Sequence, residues 1–285
     1  ATALSGASVS VADPANDFSG VVTVTAGATA ISDANDLKVS LTTGETKLTT
    51  GGALSVSGVV SGALTATTTG AISQFGALKV TGATALSGAS VTLADPANDF
   101  SGLVTVTAGA TAISDANDLK VSLTTGETKL SARDFLSLSG VVSGALTASS
   151  TGSITQFGSL KVTGAAALTG ASISLADPAN DFSGVVTVTA GITAISDTND
   201  LKVSLTTGET KLTTGGALSL NGMVSGALTT TSTGAVTQFG ALKVTGVSAL
   251  TGASVSLTDT ANDFRGQVTV TAGATAISDA NDLKV

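Results

Sequence analysis

The chain has 285 residues and a formal net charge of −8, and it contains no Cys, His, Trp or Tyr. This acidic balance argues against nucleic-acid binding, which needs a basic surface. The lack of Cys excludes a disulfide framework, and the lack of both His and Cys removes the commonest general bases and nucleophiles, so we expect no enzyme.

Short runs that alternate apolar and polar residues follow one another along the chain. They include VVTVT from Val21, LKVSL from Leu37, ALSVS from Ala53 and ALKV from Ala77. Alternation with period two predicts β-strands, and the Gly, Asn and Asp clusters between the runs predict turns. Ser, Thr or Gly interrupts every apolar run, so we expect no membrane span, which would need about 20 apolar residues.

The chain repeats itself every 82 residues. Asp13, Asp95, Asp177 and Asp259 open equivalent segments, which defines repeats 1–82, 83–164 and 165–246 and a partial repeat 247–285. A fixed period is the signature of an architecture in which neighbouring units stack and share one core. Most differences between repeats keep the residue class, as Val11 and Leu93 do, which favours packing over chemistry as the constraint.

Each repeat divides further into four similar sub-units. Cuts after Phe18, Leu37, Leu54, Leu78 and Phe100 leave sub-units that average about 20 residues, each ending in Leu or Phe. Short strands at this spacing predict a parallel β-helix, a solenoid with about 20 residues per coil and four coils per 82-residue repeat. We expect residues 1–285 to form a single continuous solenoid. An array of β-sandwich domains is the alternative.

The solenoid hypothesis predicts two inward columns and an outward position between them. The first column is Phe18, Leu37, Leu54, Leu78 and Phe100, and the second is Val39, Val56 and Val80. Lys38 and Lys79 are expected to point outward between the columns, because side chains alternate along a strand.

The segment AISDANDLKV recurs in every repeat, with Thr198 for Ala in the third, and carries an Asp-x-Asn-Asp cluster, first at Asp33 to Asp36. Asn and Asp favour turns because their side chains bond nearby backbone N–H groups, so the cluster predicts a corner shared with Asn16-Asp17 one coil earlier. Gly51-Gly52 would continue that corner in the next coil.

Calcium binding is the functional alternative for the same corners, because carboxylates on adjacent coils repel each other and a hard cation held by oxygens would relieve the repulsion. No other cofactor is expected. The candidate ligands are Asp13, Asp17, Asp33, Asp36, Asp95, Asp99, Asp115, Asp118, Asp177, Asp181, Asp197 and Asp200.

Three further features have structural and functional interpretations. Thr23 and Thr25 suit an outward strand face, although a flat Thr array would resemble ice-binding solenoids. The segment Ser131 to Phe135 replaces Thr49 to Ala53 either through drift in a loop or as a lateral contact made by Arg133 and Phe135. The recurring Gln-Phe pair predicts stacked Gln ladders and a Phe that fills the wider coil.

Strings such as GALSVSGVVSGALTATTTGAI and LVTVTAGATAISDANDLKV resemble the shafts of large haemagglutinin-type bacterial surface adhesins. This resemblance covers essentially the whole chain and implies an exported protein with a right-handed parallel β-helix that serves as a stalk or filament. We therefore expect a structural, secreted fibre component at the bacterial cell surface. An adhesin module that recognises host or neighbouring cells, with or without calcium, is the alternative.

The expected partner is the chain itself. A solenoid without capping repeats exposes strand templates at its ends, which predicts either a window on a longer array or head-to-tail joining. The sparse charge and the Ser, Thr and Ala surface predict lateral association as well.

Overall fold

The computed structural model describes all 285 residues, and it confirms the parallel β-solenoid. The chain forms about 15 turns of about 18 residues each and contains no helix. No segment is therefore a helix that could cross a membrane. The chain comprises two compact units, residues 1–137 and 138–285.

The strands are short and numbered in chain order. Those within unit 1 are β1 (Thr2–Val11), β2 (Val21–Asp33), β3 (Leu37–Thr43), β4 (Thr46–Thr50), β5 (Leu54–Val60), β6 (Leu64–Thr68), β7 (Ala71–Val80), β8 (Thr84–Gly88), β9 (Ser90–Leu93), β10 (Asp99–Phe100), β11 (Val104–Ala108), β12 (Thr111–Asp115), β13 (Leu119–Thr125) and β14 (Thr128–Ala132). Strand β15 (Leu136–Val142) contains the unit boundary. Those within unit 2 are β16 (Leu146–Ser150), β17 (Ser153–Val162), β18 (Ala166–Thr169), β19 (Ser172–Leu175), β20 (Asp181–Phe182), β21 (Val185–Asp197), β22 (Leu201–Thr214), β23 (Leu218–Val224), β24 (Leu228–Ser232), β25 (Ala235–Val244), β26 (Ser248–Thr251), β27 (Ser254–Leu257), β28 (Asp263–Phe264), β29 (Val268–Thr271) and β30 (Ala274–Ile277).

Alternation along each strand decides which side chains form the core. In β3 the side chains of Leu37, Val39 and Leu41 are buried, whereas Lys38 and Thr42 are exposed. Between the first and last strands this alternation builds a continuous apolar core inside the coil, and burial of apolar area is the main stabilising contribution. Lys38 and Lys79 both point outward as predicted.

Neighbouring turns pair in parallel register, one residue above another. In unit 1 one ladder runs from Leu37 through Leu54, Ile72 and Val91 to Thr111. These steps of 17 to 20 residues each close one turn. After four turns the ladder has reached Thr111, which is eight residues short of Leu119, the equivalent of Leu37 in the next repeat.

A repeat therefore contains about four and a half turns, which differs from the four coils expected. Thr29 belongs to a second ladder with Thr46, Leu64 and Thr84, whereas its equivalent Thr111 belongs to the first ladder. Unit 2 shows the same arrangement, because Ile154 lies in a ladder with Ile173 and Thr193 while its equivalent Val236 lies in a ladder with Leu218 and Leu201. Equivalent residues of successive repeats within a unit thus alternate between two sides of the coil.

The two predicted inward columns are correct for one step and wrong beyond it. Leu37 lies beside Leu54 and Val39 beside Val56, but Leu54 then pairs with Ile72, Val56 with Gln74, and Val80 with Val60. The first column also fails at Leu78 and Phe100, which pair with Gly58 and Val80. The cause is that one turn holds about 18 residues, fewer than the 24 that separate Leu54 from Leu78, and an insertion in β7 shifts the register further after Gln74.

That insertion is a bulge. Val56 pairs with Gln74 and Gly58 pairs with Leu78, so residues 75–77 lie opposite Ser57 alone. A bulge of this kind bends a strand and pushes the extra residues out of the ladder. Gly58 adopts φ of 109°, a conformation that an L side chain rarely adopts, and Gly140 and Gly222 repeat it.

Candidate functional site

The first Asp of each Asp-x-Asn-Asp cluster is buried and holds the corner together. The Asp33 side chain is only 3% exposed. Its Oδ2 accepts a hydrogen bond of 2.8 Å from the Phe18 backbone N–H one coil earlier, and its Oδ1 accepts one of 2.8 Å from Asn35 N–H. One carboxylate thus ties two successive coils at the predicted corner.

The arrangement recurs in the next two repeats. Asp115 accepts from Phe100 N–H and Asn117 N–H, both at 2.8 Å, and Asp197 accepts from the equivalent Phe182 and Asn199 N–H groups, both at 2.7 Å. Hydrogen bonds from N–H groups to an ionised carboxylate are the stronger kind, so these corners are firmly fixed.

Burial raises the pKa of Asp115 above its ordinary value of 3.8. The two backbone N–H donors oppose this shift, and the nearby carboxylates of Asp99 and Asp118 add to it. Burial likewise raises the pKa of Asp197, against the N–H donors of Phe182 and Asn199. Burial therefore disfavours the ionised form of Asp115 and Asp197, even though each carboxylate accepts two backbone hydrogen bonds.

The last Asp of each cluster acts on the following coil. Asp36 Oδ1 accepts a hydrogen bond of 2.7 Å from Ala53 N–H. Its equivalents Asp118 and Asp200 accept from Phe135 N–H at 3.0 Å and from Ala217 N–H at 2.7 Å. These exposed carboxylates cap the start of the next strand.

The remaining calcium candidates lie in the segment one coil before each cluster. Asp13, Asp95 and Asp177 each accept a hydrogen bond of 2.9 Å from the N–H group two residues later, which is an Asx turn. Asp99 and Asp181 lie directly across the ladder from Lys79 and Lys161. Asp17 is exposed on the same segment of the first repeat.

Within each repeat the structure therefore brings the carboxylates near a corner but gives most of them backbone partners. It contains no group of three or more Asp or Glu side chains placed to hold a metal ion. Calcium binding stays a prediction.

Gly51 and Gly52 continue the corner, as the sequence predicted. Gly51 N–H donates to Asp33 O at 3.0 Å, and Gly52 N–H donates to Asn35 O at 2.8 Å. A Cβ on Gly52 would overlap the Asp36 carboxylate. In the second repeat Arg133 and Asp134 take these places, and their N–H groups make the equivalent bonds to Asp115 O at 3.2 Å and Asn117 O at 3.1 Å.

Sequence reasoning missed the most deeply buried polar residue of the corner. Asn98 is fully buried, and its Oδ1 accepts from Leu78 N–H at 2.8 Å and from Gln74 Nε2 at 3.0 Å. Its Nδ2 donates to Gln74 Oε1 at 3.0 Å and to Leu93 O at 2.9 Å. The side-chain amide of Asn98 thus makes four hydrogen bonds within the protein, two as acceptor and two as donor.

Gln74 thus pairs with an Asn one coil later and does not stack on other Gln side chains as predicted. The same pair recurs as Gln156 with Asn180 and as Gln238 with Asn262. The constant spacing of 24 residues between Gln and Asn was the signal available in the sequence.

The Phe that follows this Gln is also outside the core, contrary to the prediction that it fills the coil. Phe75 is 42% exposed because it lies in the bulge, and the Lys38 Nζ atom lies 4.5 Å from its ring centroid. Phe239 and Lys202 repeat this contact at the same distance. An ammonium over an aromatic face is a favourable cation–π geometry.

These observations define a class: a tandem-repeat parallel β-solenoid whose corners are closed by its own Asp and Asn side chains. The chain belongs to a family described as repeats of unknown function (DUF5649), whose model matches residues 43–107, 108–189 and 207–271. No curated protein and no solved structure matches the chain.

Proposed function

We propose that this chain is the structural shaft of an extracellular bacterial fibre or cell-surface filament. The observation that carries the proposal is that the conspicuous polar residues of the repeat close corners between successive coils. Asp33, Asn98 and Asp115 direct their side chains at backbone groups or neighbouring amides of the solenoid itself. Residues that recur in every repeat are thus used to add one coil to the next.

The register supports an extensible scaffold. Ladders such as Leu37, Leu54, Ile72 and Val91 transmit backbone pairing from turn to turn, and the equivalent ladder Leu201, Leu218, Val236 and Val255 occurs two repeats later. In a repeat array of this kind, stability is approximately the sum of the repeats and the interfaces between neighbours. Further copies of the repeat would extend such an array without a new kind of interface.

The outward surface supports an exported location. It is dominated by Ser, Thr and Ala with few charges, as in the shafts that the chain resembles. The resemblance to haemagglutinin-type shafts points in the same direction.

Immunogold microscopy with antibodies against this chain tests the proposal on intact producing cells. We expect label along filaments that extend from the cell surface. Label confined to the cell interior, seen only after permeabilisation, would overturn the proposal.

The second candidate is an adhesin module, which the exposed Phe75 and its equivalents favour. Exposed aromatic side chains are enriched at recognition surfaces. Binding of the purified chain to host or neighbouring cells, lost in the Phe75→Ser, Phe157→Ser, Phe239→Ser variant, would support this candidate over a purely structural role.

A further inference from the structure

Asn221 differs from every other Asn of the chain in the residue that follows it. The chain has nine Asn residues, of which eight precede Asp, and Asn221 alone precedes Gly. The equivalent positions of the first two repeats are Ser57 and Ser139. An Asn side chain can close a ring with the backbone nitrogen of the next residue, and a following Gly offers the least steric resistance because it has no Cβ.

The side chain of Asn221 is not fixed in the way that Asn98 is. The Oδ1 atom of Asn221 is buried and has no hydrogen-bond partner. The amide of Asn98, by contrast, makes four hydrogen bonds. A buried acceptor without a partner costs free energy, so hydrogen bonding does not hold the Asn221 carbonyl group in place.

The backbone around Asn221 is paired on one side only. Leu220 pairs with Gln238 and Gly222 with Leu242, so Asn221 has no partner in β25. On the other side it pairs with Ser204 of β22. The peptide bond between Asn221 and Gly222 therefore lies where the ladder to β25 is interrupted.

Solvent reaches the same peptide bond. A cavity of about 340 Å³ opens beside Gly222, and Ser204, Met223, Ala241 and Lys243 also line it. Gly222 adopts φ of 109°, and without a Cβ it leaves its backbone nitrogen unshielded. Water thus has access to any ring formed at this position.

The surrounding charge favours a carboxylate at position 221. Lys202 pairs with Ser219, and Lys243 pairs with Met223. Asn221 lies midway between these two partners on the same face of β23, because side chains alternate along a strand. A carboxylate there would lie between two ammonium groups, an attraction that is modest at a protein surface but favourable.

We propose that Asn221 is a site of covalent self-modification, at which its side chain closes a succinimide ring with the backbone nitrogen of Gly222. The Gly222 nitrogen loses its proton and bonds to Asn221 Cγ. The bond between Cγ and Nδ2 breaks, and Nδ2 leaves as ammonia. Water then adds to one of the two ring carbonyl carbons and breaks its bond to the ring nitrogen, which yields Asp or isoaspartate.

The strand can take up either product. Aspartate changes only the charge, by one negative unit. Isoaspartate brings Cβ into the main chain and lengthens β23 by one carbon atom, opposite the three residues 239–241 that β25 already carries in excess. The third repeat would thereby acquire a time-dependent mark that Ser57 and Ser139 cannot acquire. This inference does not depend on the proposed function.

Peptide mapping by mass spectrometry tests the site. The purified native chain is kept folded in mildly alkaline buffer, sampled over time and digested. We expect the segment with Asn221 to show the mass change of ammonia loss and water gain about tenfold faster than any segment with Asn-Asp. Chromatography of that segment should resolve an aspartate and an isoaspartate form. Conversion at Asn98 as fast as at Asn221 would contradict the inference.

Two variants supply the controls. Asn221→Ser reproduces the first two repeats and should therefore fold, and Asn221→Gln keeps an amide that can cyclise only through a larger ring. In ion-exchange chromatography the native chain should gain a second, more acidic species with time, and both variants should stay a single species. An acidic species that forms equally fast in Asn221→Ser would overturn the inference. So would an Asn221 that stays intact in the folded chain while it converts in the urea-unfolded chain, and neither result affects the immunogold test.

Discussion

The side-chain amides of Gln74 and Asn98 form two reciprocal hydrogen bonds of 3.0 Å across successive coils. Asn98 is fully buried and also bonds the backbone of Leu78 and Leu93. The pair thus connects the bulged strand β7 to the corner of the next coil, and it explains why Gln and Asn recur together in each repeat.

The first prediction concerns this pair. Asn98→Ala should lower the free energy of unfolding by about 3 kcal/mol or more, because it leaves several buried polar groups without partners. Gln74→Ala should cost less, since Asn98 keeps its two backbone partners. A double-mutant cycle from urea denaturation should show coupling of about 1 kcal/mol or more between the two sites. Additive effects would mean that the two amides do not stabilise each other.

The second prediction concerns the buried carboxylate of Asp115. Asp115→Asn should destabilise the chain by about 1–3 kcal/mol, because an amide can accept only one of the two N–H bonds and turns a donor toward the other. Asp118→Asn is the control, since that side chain is exposed and accepts a single bond of 3.0 Å. Equal losses in the two variants would contradict the central role of Asp115.

The pH dependence of stability follows from the raised pKa of Asp115 and Asp197. The folded chain holds a proton at these sites more readily than the unfolded chain, whose carboxyl groups titrate near 3.8. Their contribution to stability is therefore greatest below pH 3.8 and is lost as the pH rises through the raised folded value. The stability difference between the native chain and the variant Asp115→Asn with Asp197→Asn should shrink as the pH rises across that window, measured by urea denaturation at each pH. A difference that grows with pH would contradict the raised values.

Gly58 should be indispensable to the bulge. Its φ of 109° disfavours any L side chain, and a Cβ there would overlap the Leu41 carbonyl oxygen. Gly58→Ala should cost about 3 kcal/mol or more in the free energy of unfolding. The matched control is Gly76→Ala in the same bulge, where the nearest atom to an added Cβ is Ser57 Cβ at 3.5 Å, and its effect should stay within about 0.5 kcal/mol.

Two buried threonines of the third repeat should respond differently to the same change. The Thr230 hydroxyl is buried without a hydrogen-bond partner, and Ala66 and Ala148 occupy its equivalent positions. Thr230→Ala should therefore change stability by less than about 1 kcal/mol. Thr210→Ala should cost about 1–2 kcal/mol, because it removes the 2.7 Å bond to the buried Thr207 hydroxyl. Thermal or urea unfolding of the two variants side by side measures the contrast. A larger loss of stability in Thr230→Ala than in Thr210→Ala would contradict the prediction.

The calcium hypothesis has a direct test. Because both oxygens of Asp33 already accept backbone N–H bonds, addition of Ca²⁺ followed by a chelator should shift the melting temperature by less than about 1 °C. A rise of several degrees with Ca²⁺, reversed by the chelator and abolished in Asp17→Asn with Asp36→Asn, would instead establish a calcium site.

The sequence by itself determined the all-β class, the parallel solenoid, the outward Lys38 and the corner at Asp33 to Asp36. Period-two alternation records which side chains enter the core, and Asn-Asp clusters carry their turn preference locally, so both can be read without a structure. Only the tertiary structure decided the half turn by which repeats alternate sides, the neighbours of Leu54 and Leu78, the Gln74–Asn98 pair and the exposed Phe75. These features depend on how many residues each turn absorbs, and the bulge opposite Ser57 changes that number without changing the alternation pattern. Strand register depends on which residues of different coils pair with each other. Backbone pairing and core packing between coils fix it, and neither is visible in the local sequence pattern.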